Sequence, residues 1–345
     1  MAVRLAIVGA GSVGLSLTAR LAASGCDVWL VARRDESVAA IAASGIEVFD
    51  PDSDERFTAR PTGVSTLESA TDLRGRIVIV CVRAPDSASL APQLAEAAPD
   101  ATVVCAQNDV DNEAHFALHF ASVVGGIVRQ TCTRTGPADV SALGRGRLIF
   151  GGHPNAVSAP DAALDAVDTL SRAFSRAGFD VAASPAIHED KWLKLCVNVL
   201  SVPNALIHPD EHTLPAFGEI KARLAEEARA ALAAAGITAR SCDGRDRSLD
   251  EEIAFQRESP ARGQSARRLP IYNAVWASLE HGLPLEAELY HERILGLARQ
   301  HGLAAPLNQR ALELVLRAQR ERLGPESARC TDFLGTASLG GVGEP

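Results

Sequence analysis

The sequence predicts an α/β protein with two domains: an N-terminal Rossmann-type doubly wound sheet and an all-helical C-terminal domain. Three observations support this prediction. Short β-branched runs alternate with Ala/Leu-rich amphipathic stretches over roughly the first 110 residues, a glycine-rich turn joins the first such pair, and helical periodicity dominates after Pro185. A chain of 345 residues is also longer than one compact core usually supports.

Four continuous apolar runs are predicted as strands, at 3–9, 26–32, 76–82 and 101–107. Helical patterns lie between or after them, at about 12–24, 35–44 and 85–97. Strands without alternation indicate a parallel sheet covered on both faces. Residues 120–183 are richer in strand patterns around a helix at 161–177, and we expect them to extend the same sheet.

The second part of the chain reads as helices at about 187–202, 215–235, 265–280, 284–302 and 306–322. The charged, poorly periodic stretch 241–263 predicts a loop with a short helix. We therefore expect a nucleotide-binding domain over 1–184, a helical substrate and catalytic domain over 185–325, and a flexible tail over 326–345.

Composition excludes several classes of partner. A formal net charge of -9 argues against nucleic acid, which is bound through clustered Lys and Arg. Seven cysteines without a CxxC pair favour reduced thiols and a cytoplasmic location over disulfides or a zinc site, so no metal is predicted. The N-terminal apolar stretch is too short to span a bilayer. A small molecule is the expected partner, and the helical domain is compatible with a homodimer.

The segment "GAGSVG" follows the first strand and opens a helix. In such a loop Gly9 permits the tight turn, Gly11 lets the backbone approach a pyrophosphate, and Gly14 lets helix and strand pack closely. These glycines, with Ser12 and Val13 between them, are predicted to bind a dinucleotide. The alternative is a glycine-rich turn without a ligand.

The end of the second strand distinguishes the two nicotinamide cofactors. An acidic residue there binds the ribose hydroxyls of NAD, whereas arginine accommodates the 2'-phosphate of NADP. The sequence reads "WLVARRDES", so Arg33 and Arg34 predict NADPH. They could instead be ordinary surface charges, and Asp35 keeps some use of NAD open.

Polar residues also follow the third and fourth strands. Arg83 in "CVRAPDS" could meet the cofactor phosphates, and Asn108 in "CAQNDVDNE" could bind the nicotinamide ribose or the substrate. The carboxyl ends of parallel strands are where doubly wound sheets bind ligands. The alternative for each residue is a loop-capping role.

These motifs, followed by "KWLKLCVN" and a late "PLEAELYHERILGLARQHG", occur in an order that resembles the ketopantoate reductase family, also called the 2-dehydropantoate 2-reductase family of pantothenate biosynthesis. The resemblance runs from about residue 3 to about 320. It implies NADPH-dependent reduction of a 2-oxoacid, with Lys194 as general acid in a W-x-K-x-x-x-N segment. The same likeness places the family glutamate at Glu286 and assigns substrate contacts to Asn198 and Asn108.

The departures from the family pattern lie at positions expected to face the substrate. "QNG" has become "QND", which places the Asp109 carboxylate near the expected substrate mouth. Val202 stands where a second asparagine is usual, with Asn204 nearby, and the family serine falls at Ala274, where Asn273 could substitute. These changes suggest that the reaction type is kept while the substrate is ketopantoate or a related 2-oxoacid.

Two lysines, Lys191 and Lys194, lie three residues apart in "IHEDKWLKLCVN". Hydride addition to a ketone leaves an alkoxide that needs a proton donor, and a partly desolvated lysine can serve. Lys194 and Asn198 are four apart, on one helical face. We therefore expect Lys194 to be the acid and Lys191 to be solvated. Local sequence alone would make both lysines surface charges.

Two other functions remain open. An opine- or imine-type dehydrogenase, or another hydroxyacid dehydrogenase, also joins a Rossmann domain to a helical one. A non-catalytic NADPH-binding protein would keep the nucleotide loop but no longer bind the substrate. The apolar residues Val202 and Ala274 at expected substrate-binding positions are compatible with this alternative. Requirement for an amine co-substrate would distinguish the first, and NADPH binding without oxidation the second.

Overall fold

The computed structural model describes residues 3–70, 72–153, 160–258 and 273–335. The chain divides into two compact units, Met1–Lys191 and Trp192–Pro345. The boundary falls inside a helix and lies seven residues beyond the domain limit at 184 that the sequence suggests. No helix among the described residues is long and apolar enough to cross a membrane.

The first unit contains twelve strands in its described residues: β1 Arg4–Val8, β2 Asp27–Val31, β3 Ile46–Asp50, β4 Glu55–Ala59, β5 Gly63–Ser65, β6 Ile77–Val80, β7 Thr102–Cys105, β8 Ser122–Arg129, β9 Cys132–Arg134, β10 Asp139–Ala142, β11 Arg147–Gly152 and β12 Asp180–Ala183. Its helices are α1 Ser12–Ala23, α2 Asp35–Ser44, α3 Ser87–Ala97, α4 Asn112–Ala117 and α5 Pro160–Arg176. A 3-10 turn at Ala84–Asp86 precedes α3.

Eight strands form the main sheet in the order β12-β11-β8-β7-β6-β1-β2-β5. Neighbouring strands are parallel except for the antiparallel pair β8 and β11. On β1, Leu5 and Ile7 join one hydrophobic core, and Ala6 and Val8 join the other. Because side chains of a strand alternate between faces, both faces of the sheet are buried. The predicted doubly wound sheet is confirmed.

A second sheet, in the order β4-β3-β10-β9, was not predicted. The strand patterns within 120–183 predict an extension of the main sheet, which is confirmed for β8, β11 and β12 and wrong for β9, and no pattern predicts β10 as a strand. β3 alternates buried and more exposed residues, as expected for a strand with one covered face. Its parallel pairing with β10 joins segments about 90 residues apart, which local periodicity does not reveal.

The second unit is helical, as predicted. Its described helices begin with α6 Ile187–Asn198, which starts in the first unit, and continue with α7 Ser201–Leu206, α8 Pro215–Ala234, α9 Leu249–Glu258, α10 Ala274–Glu280, α11 Ala287–Gln300, α12 Pro306–Glu321 and α13 Cys330–Leu334. A 3-10 turn spans Pro209–Glu211. The first part of the helix predicted at 265–280 lies outside the described residues.

The C-terminal segment predicted as a flexible tail contains regular structure. Ile207 and Ala328 form an isolated parallel bridge, and α13 follows it with Phe333 buried. Residues 336–345 lie outside the described residues. The helical unit therefore continues at least ten residues beyond the limit of 325 suggested by the sequence.

α8 is the central helix of the second unit. It buries Phe217, Ile220, Leu224 and Ala228 at three- and four-residue intervals. Glu227, on the same helix, accepts hydrogen bonds from the backbone nitrogens of Leu307 (2.9 Å) and Asn308 (2.8 Å) and so satisfies two donors at the start of α12. Asn308 in turn lies 2.9 Å from Nδ1 of His291 on α11.

His291 makes the helical unit sensitive to acid. Complete burial lowers its pKa from 6.5 to about 4. The unfolded chain therefore binds this proton more tightly, and stability is lost as pH falls from 6.5 towards 4. Between pH 7 and pH 5 we expect this group to remove about 2 kcal/mol from the free energy of unfolding. Urea unfolding followed by circular dichroism at both pH values measures the loss.

The His291→Gln variant is the matched comparison, because glutamine can still donate to Asn308 but does not titrate in this range. Other histidines, including the buried His212, contribute to the pH dependence of both proteins and cancel in the difference. An identical pH dependence in the variant would contradict the assignment to His291.

Candidate functional site

The glycine loop has the geometry that a dinucleotide requires. Gly9 has a φ of 116°, and a Cβ there would lie 2.9 Å from the carbonyl carbon of Cys81. A Cβ on Gly14 would lie 1.8 Å from the carbonyl oxygen of Gly9. A Cβ on Gly11, in contrast, would meet no atom within 4 Å. Gly9 thus allows the turn, Gly14 allows the helix to pack against it, and Gly11 leaves open space at the helix N-terminus.

That helix N-terminus suits an anion. α1 begins at Ser12, no side chain caps it, and its first turn contains no acidic residue. Its unsatisfied backbone N–H groups and the helix dipole therefore favour a negative charge. Val13 is partly buried and packs against one of the two cores. The loop fits a pyrophosphate, which Gly11, Ser12 and Val13 would hold.

Arg33 and Arg34 lie just beyond β2, as predicted. Arg34 is exposed at the N-cap of α2 and forms no ion pair or side-chain hydrogen bond with any residue that the structure describes. Arg33, 77% exposed, has Asp86 3.9 Å away. A carboxylate at this distance from an exposed arginine contributes little, so both cations remain available.

Arg83 and Asn108 follow two adjacent strands. β6 pairs in parallel with β1 on one side and β7 on the other, so the residues after these strands share one edge of the sheet. Arg83 precedes the 3-10 turn and lies 3.7 Å from Asp86. The sheet thus brings the glycine loop, Arg83 and Asn108 to the same edge, where doubly wound sheets bind ligands.

A buried polar network holds the Asn108 loop. Gln107 Nε2 donates to Ser87 Oγ (2.6 Å), and Ser87 Oγ donates to Asn112 Oδ1 (2.8 Å). Asn112 Nδ2 then donates to the carbonyl oxygen of Asn108 (2.7 Å). These residues are buried, and their hydrogen bonds fix the backbone of Asn108, although Oε1 of Gln107 has no hydrogen-bond partner among the described residues.

Asp109 has a backbone conformation that favours glycine. Its φ is 85°, and its side chain is buried. The family resemblance places glycine at this position, and a non-glycine residue there costs of order 1 kcal/mol. The position therefore demands a left-handed turn whether or not the aspartate contributes to binding.

Helix α6 contains both lysines, and the exposure of Lys191 differs from the prediction. Lys194 and Asn198 lie on the more accessible side of the helix, each partly exposed. Lys191 is only 5% exposed, so the expectation that it is solvated is wrong. Its ammonium group forms an ion pair with Glu113, which is 2% exposed and belongs to α4.

Two glycines make room for this arrangement. A Cβ on Gly125 of β8 would approach Ile187 to 2.9 Å and a carboxylate oxygen of Glu113 to 3.2 Å. A Cβ on Gly151 of β11 would lie 2.5 Å from the carbonyl oxygen of Ser184. Glycine within a strand often marks close approach of another segment. The glycines in "VVGGIV" and "LIFGG" are therefore the sequence features that could have predicted the packing of the first turn of α6 on these strands.

The start of α6 is fixed by a further buried contact. Ser184 Oγ donates to Asp190 Oδ2 at 2.5 Å and accepts a hydrogen bond from the backbone nitrogen of Ala186 at 3.1 Å. Asp190 is 2% exposed. The acidic first turn, which suggested a solvated helix, is thus partly a structural anchor.

Glu286 lies at the N-cap of α11 and is partly buried. Its Oε2 lies 3.4 Å from the hydroxyl of Tyr290, one helical turn later. The preceding residue, Leu285, is buried. The carboxylate is therefore partly accessible and oriented from within its own helix.

Asn204 and Asn273 both have structural contacts. Asn204 Oδ1 accepts a hydrogen bond from Lys221 Nζ at 3.3 Å. Asn273 caps α10 by accepting from the backbone nitrogen of Trp276 (2.9 Å), and its Nδ2 donates to the carbonyl oxygen of Ser201 (2.9 Å). Substrate binding by either asparagine stays a prediction, and their packing roles are observed.

Comparison with protein families identifies the chain. A family model described as ketopantoate reductase PanE/ApbA matches residues 5–155, and the model for the C-terminal domain of that family matches residues 186–319. The chain belongs to the ketopantoate reductase family. The resemblance inferred from the motifs is therefore confirmed over both units.

Curated relatives agree with this membership. The 2-dehydropantoate 2-reductase of Halobacterium salinarum is 27% identical over 324 residues, covering 92% of this chain and 99% of that protein. The enzyme of the same name from Archaeoglobus fulgidus is 24% identical over 320 residues, with 90% and 96% coverage. This chain thus covers nearly the full length of both relatives.

Solved structures share the fold. The 2-dehydropantoate 2-reductase of Methylococcus capsulatus has a TM-score of 0.72 at 24% identity, covering 93% of this chain and 98% of that one. A ternary structure of D-mandelate dehydrogenase with NADH and anilino(oxo)acetate has a TM-score of 0.71 at 18% identity, with 93% and 99% coverage. The architecture is therefore common to reductases of this family and to a hydroxyacid dehydrogenase.

Proposed function

We propose that this member of the ketopantoate reductase family uses NADPH to reduce a 2-oxoacid to a 2-hydroxyacid, with ketopantoate or a related 2-oxoacid as substrate. The observation that carries the proposal is the partly exposed pair Lys194 and Asn198 on α6, in a chain whose glycine loop fits a pyrophosphate. Family membership over both units supports the same reaction.

The glycine loop would hold the dinucleotide, whose chemistry would be the supply of a hydride to the carbonyl carbon of the substrate. Lys194 would donate a proton to the carbonyl oxygen as negative charge develops there. Partial exposure suits this role, because the ammonium group can reach a ligand and be reprotonated from solvent. Asn198, one turn along the same face, would hydrogen-bond the substrate and hold it against the lysine.

Glu286 and Asn108 would orient the reactants. The Glu286 carboxylate can accept a hydrogen bond from a substrate hydroxyl or hold the lysine. Asn108 has its backbone fixed by Asn112, so its side chain would bind the ribose or the substrate from a rigid loop. Arg83 would add positive charge beside the phosphates.

The departures from the family pattern motivate the wider substrate class. Val202 is fully buried, whereas Ala274 is exposed, so neither offers the polar group expected at its position. Asp109 adds a buried carboxylate next to Asn108. A site altered at these positions is expected to keep the reduction reaction but to prefer a different 2-oxoacid substrate.

A panel of 2-oxoacids, including ketopantoate and an aryl 2-oxoacid, tests the proposal through NADPH oxidation at 340 nm. We expect at least one 2-oxoacid to be reduced without added amine, with NADPH preferred to NADH. If ketopantoate exceeds the others by about 100-fold in kcat/KM, the altered-substrate idea fails. Dependence on an amine, or binding without turnover of any acid, would contradict the reductase assignment.

We further propose that the protein is cytoplasmic and forms a homodimer. All seven cysteines are within the described residues and none forms a disulfide, which suits a reducing compartment. A ketopantoate reductase from Staphylococcus aureus with the same fold, 17% identical, is described as dimeric.

A further inference from the structure

Arg134 links two parts of the edge of the sheet at which the nucleotide is proposed to bind. It is the last residue of β9, and its backbone nitrogen donates to Ser12 Oγ at 3.0 Å. Ser12 begins α1 directly after Gly11 of the glycine loop. The Ser12 hydroxyl accepts this hydrogen bond and keeps its own hydrogen to donate to a phosphate.

The guanidinium group of Arg134 reaches the other loop. Its Nε donates to the carbonyl oxygen of Gly136 (2.7 Å), and its Nη2 donates to the carbonyl oxygen of Pro137 (3.1 Å) and to Ser37 Oγ (3.0 Å). Ser37 is buried in the first turn of α2, three residues after Arg34. The planar group is therefore held rigidly at the N-terminus of α2, and its Nη1 makes no hydrogen bond to the described residues.

Arg134 and Arg34 lie close enough for their positive charges to repel each other. Burial and the nearby charge of Arg34 lower the pKa of Arg134, while Glu36 and Asp139 partly offset them. Neither carboxylate lies within ion-pair distance of Arg134, and no other described residue pairs with it. Bringing like charges together without a counterion is unfavourable, and an anionic ligand between them would relieve the repulsion.

We propose that Arg134 is a specificity-determining residue for NADPH. Together with Arg34 it forms the binding site of the 2'-phosphate. Its hydrogen bonds to Ser12 and Ser37 also fix the position of the glycine loop relative to the start of α2. The inference rests on the proposed function, because it concerns the cofactor of that reaction. A fixed planar arginine suits a phosphate, since its N–H groups match the spacing of phosphate oxygens.

The test uses two fragments of the cofactor, adenosine 2',5'-bisphosphate and 5'-AMP, which differ only in the 2'-phosphate. Isothermal calorimetry measures the Kd of each for wild type and for Arg134→Met. Loss of a charge-assisted contact is expected to weaken the bisphosphate by about 10- to 100-fold, with 5'-AMP changed by less than about threefold. The KM for NADPH should rise accordingly, while the KM for NADH stays nearly constant.

Arg56→Met is the matched control. Arg56 lies on β4 of the same four-stranded sheet, with its guanidinium carbon 3.9 Å from the ring centroid of Phe49, and it should leave both affinities unchanged. Ser37→Ala removes one partner of the Arg134 guanidinium with minimal change in volume, and a loss of bisphosphate affinity by about threefold is expected. This variant keeps the test valid if Arg134→Met folds poorly.

The outcomes separate the inference from the proposed function. If wild type binds the two fragments equally, the preference for NADPH itself fails. If wild type discriminates and Arg134→Met and Ser37→Ala discriminate equally well, only the role of Arg134 is overturned. Equal weakening of both fragments would show that Arg134 supports the fold of the site without reading the 2'-phosphate.

Discussion

Replacing Lys194 with alanine lowers kcat for the 2-oxoacid by about 100-fold or more, while the Kd of NADPH changes little. The reason is that the alkoxide formed by hydride addition loses its proton donor, whereas the glycine loop is untouched. Stopped-flow measurement of NADPH oxidation in a single turnover tests the chemical step directly, and fluorescence titration with NADPH measures binding. The part of the pH dependence of the rate that arises from proton donation by Lys194 should also disappear in the variant.

The matched control is Lys191→Met, on the same helix three residues earlier. Lys191 is buried against Glu113, so its ammonium group is engaged inside the first unit. Under conditions in which circular dichroism shows the variant folded, its kcat should stay within about threefold of wild type. Near-normal turnover of Lys194→Ala, or an equal fall in both variants, would refute the assignment of Lys194 as the acid.

Much of the framework could be predicted from the sequence because its signals are local. The strand and helix of the first βα unit lie within two residues of their predicted limits, and contacts between neighbouring segments require glycine at Gly9 and Gly14 of "GAGSVG". The four-residue spacing of Lys194 and Asn198 likewise places them on one face without knowledge of the rest of the fold. Local periodicity and turn chemistry are sufficient at such positions.

The missed features all depend on contacts between distant segments. Glu113 lies 78 positions before Lys191, and β9 brings Arg134 to a loop about 100 positions earlier. A lysine beside acidic residues in a helix looks solvated unless its buried partner is known. The β3–β10 pairing has the same character, since alternating patterns identify a strand but not its neighbour. The sequence therefore predicts Lys194 as the acid, which stays a prediction, whereas the expected exposure of Lys191 is wrong.

The ion pair between Glu113 and Lys191 gives the second large expected effect. Lys191→Met leaves the Glu113 carboxylate buried without a cation, and removal of one partner of a buried pair typically costs about 3–5 kcal/mol. We expect a loss of this size in the free energy of unfolding of the first unit. Urea unfolding at pH 7, followed by the fluorescence of Trp29 in a background with Trp192 and Trp276 replaced by phenylalanine, measures it.

A double-mutant cycle separates the pair from its surroundings. Glu113→Gln leaves the Lys191 ammonium beside a neutral amide and should also destabilise the protein. The double variant, in which neither charge remains, should be more stable than the sum of the two losses predicts. Additive losses would show that the two residues act independently. As a surface control, Arg172→Met removes an exposed pair with Asp168 at 3.9 Å and should change stability little.

The same cycle tests whether the role of Lys191 is structural. If Lys191 only anchors the start of α6, the double variant should regain stability and also keep a kcat close to wild type, because both charges are removed without touching Lys194. If the Glu113–Lys191 charges contribute to the chemistry, kcat would fall in the double variant despite its recovered stability. Stability and turnover therefore recover together under a structural role and separate only under a catalytic one, and the buried ion pair predicts that they recover together.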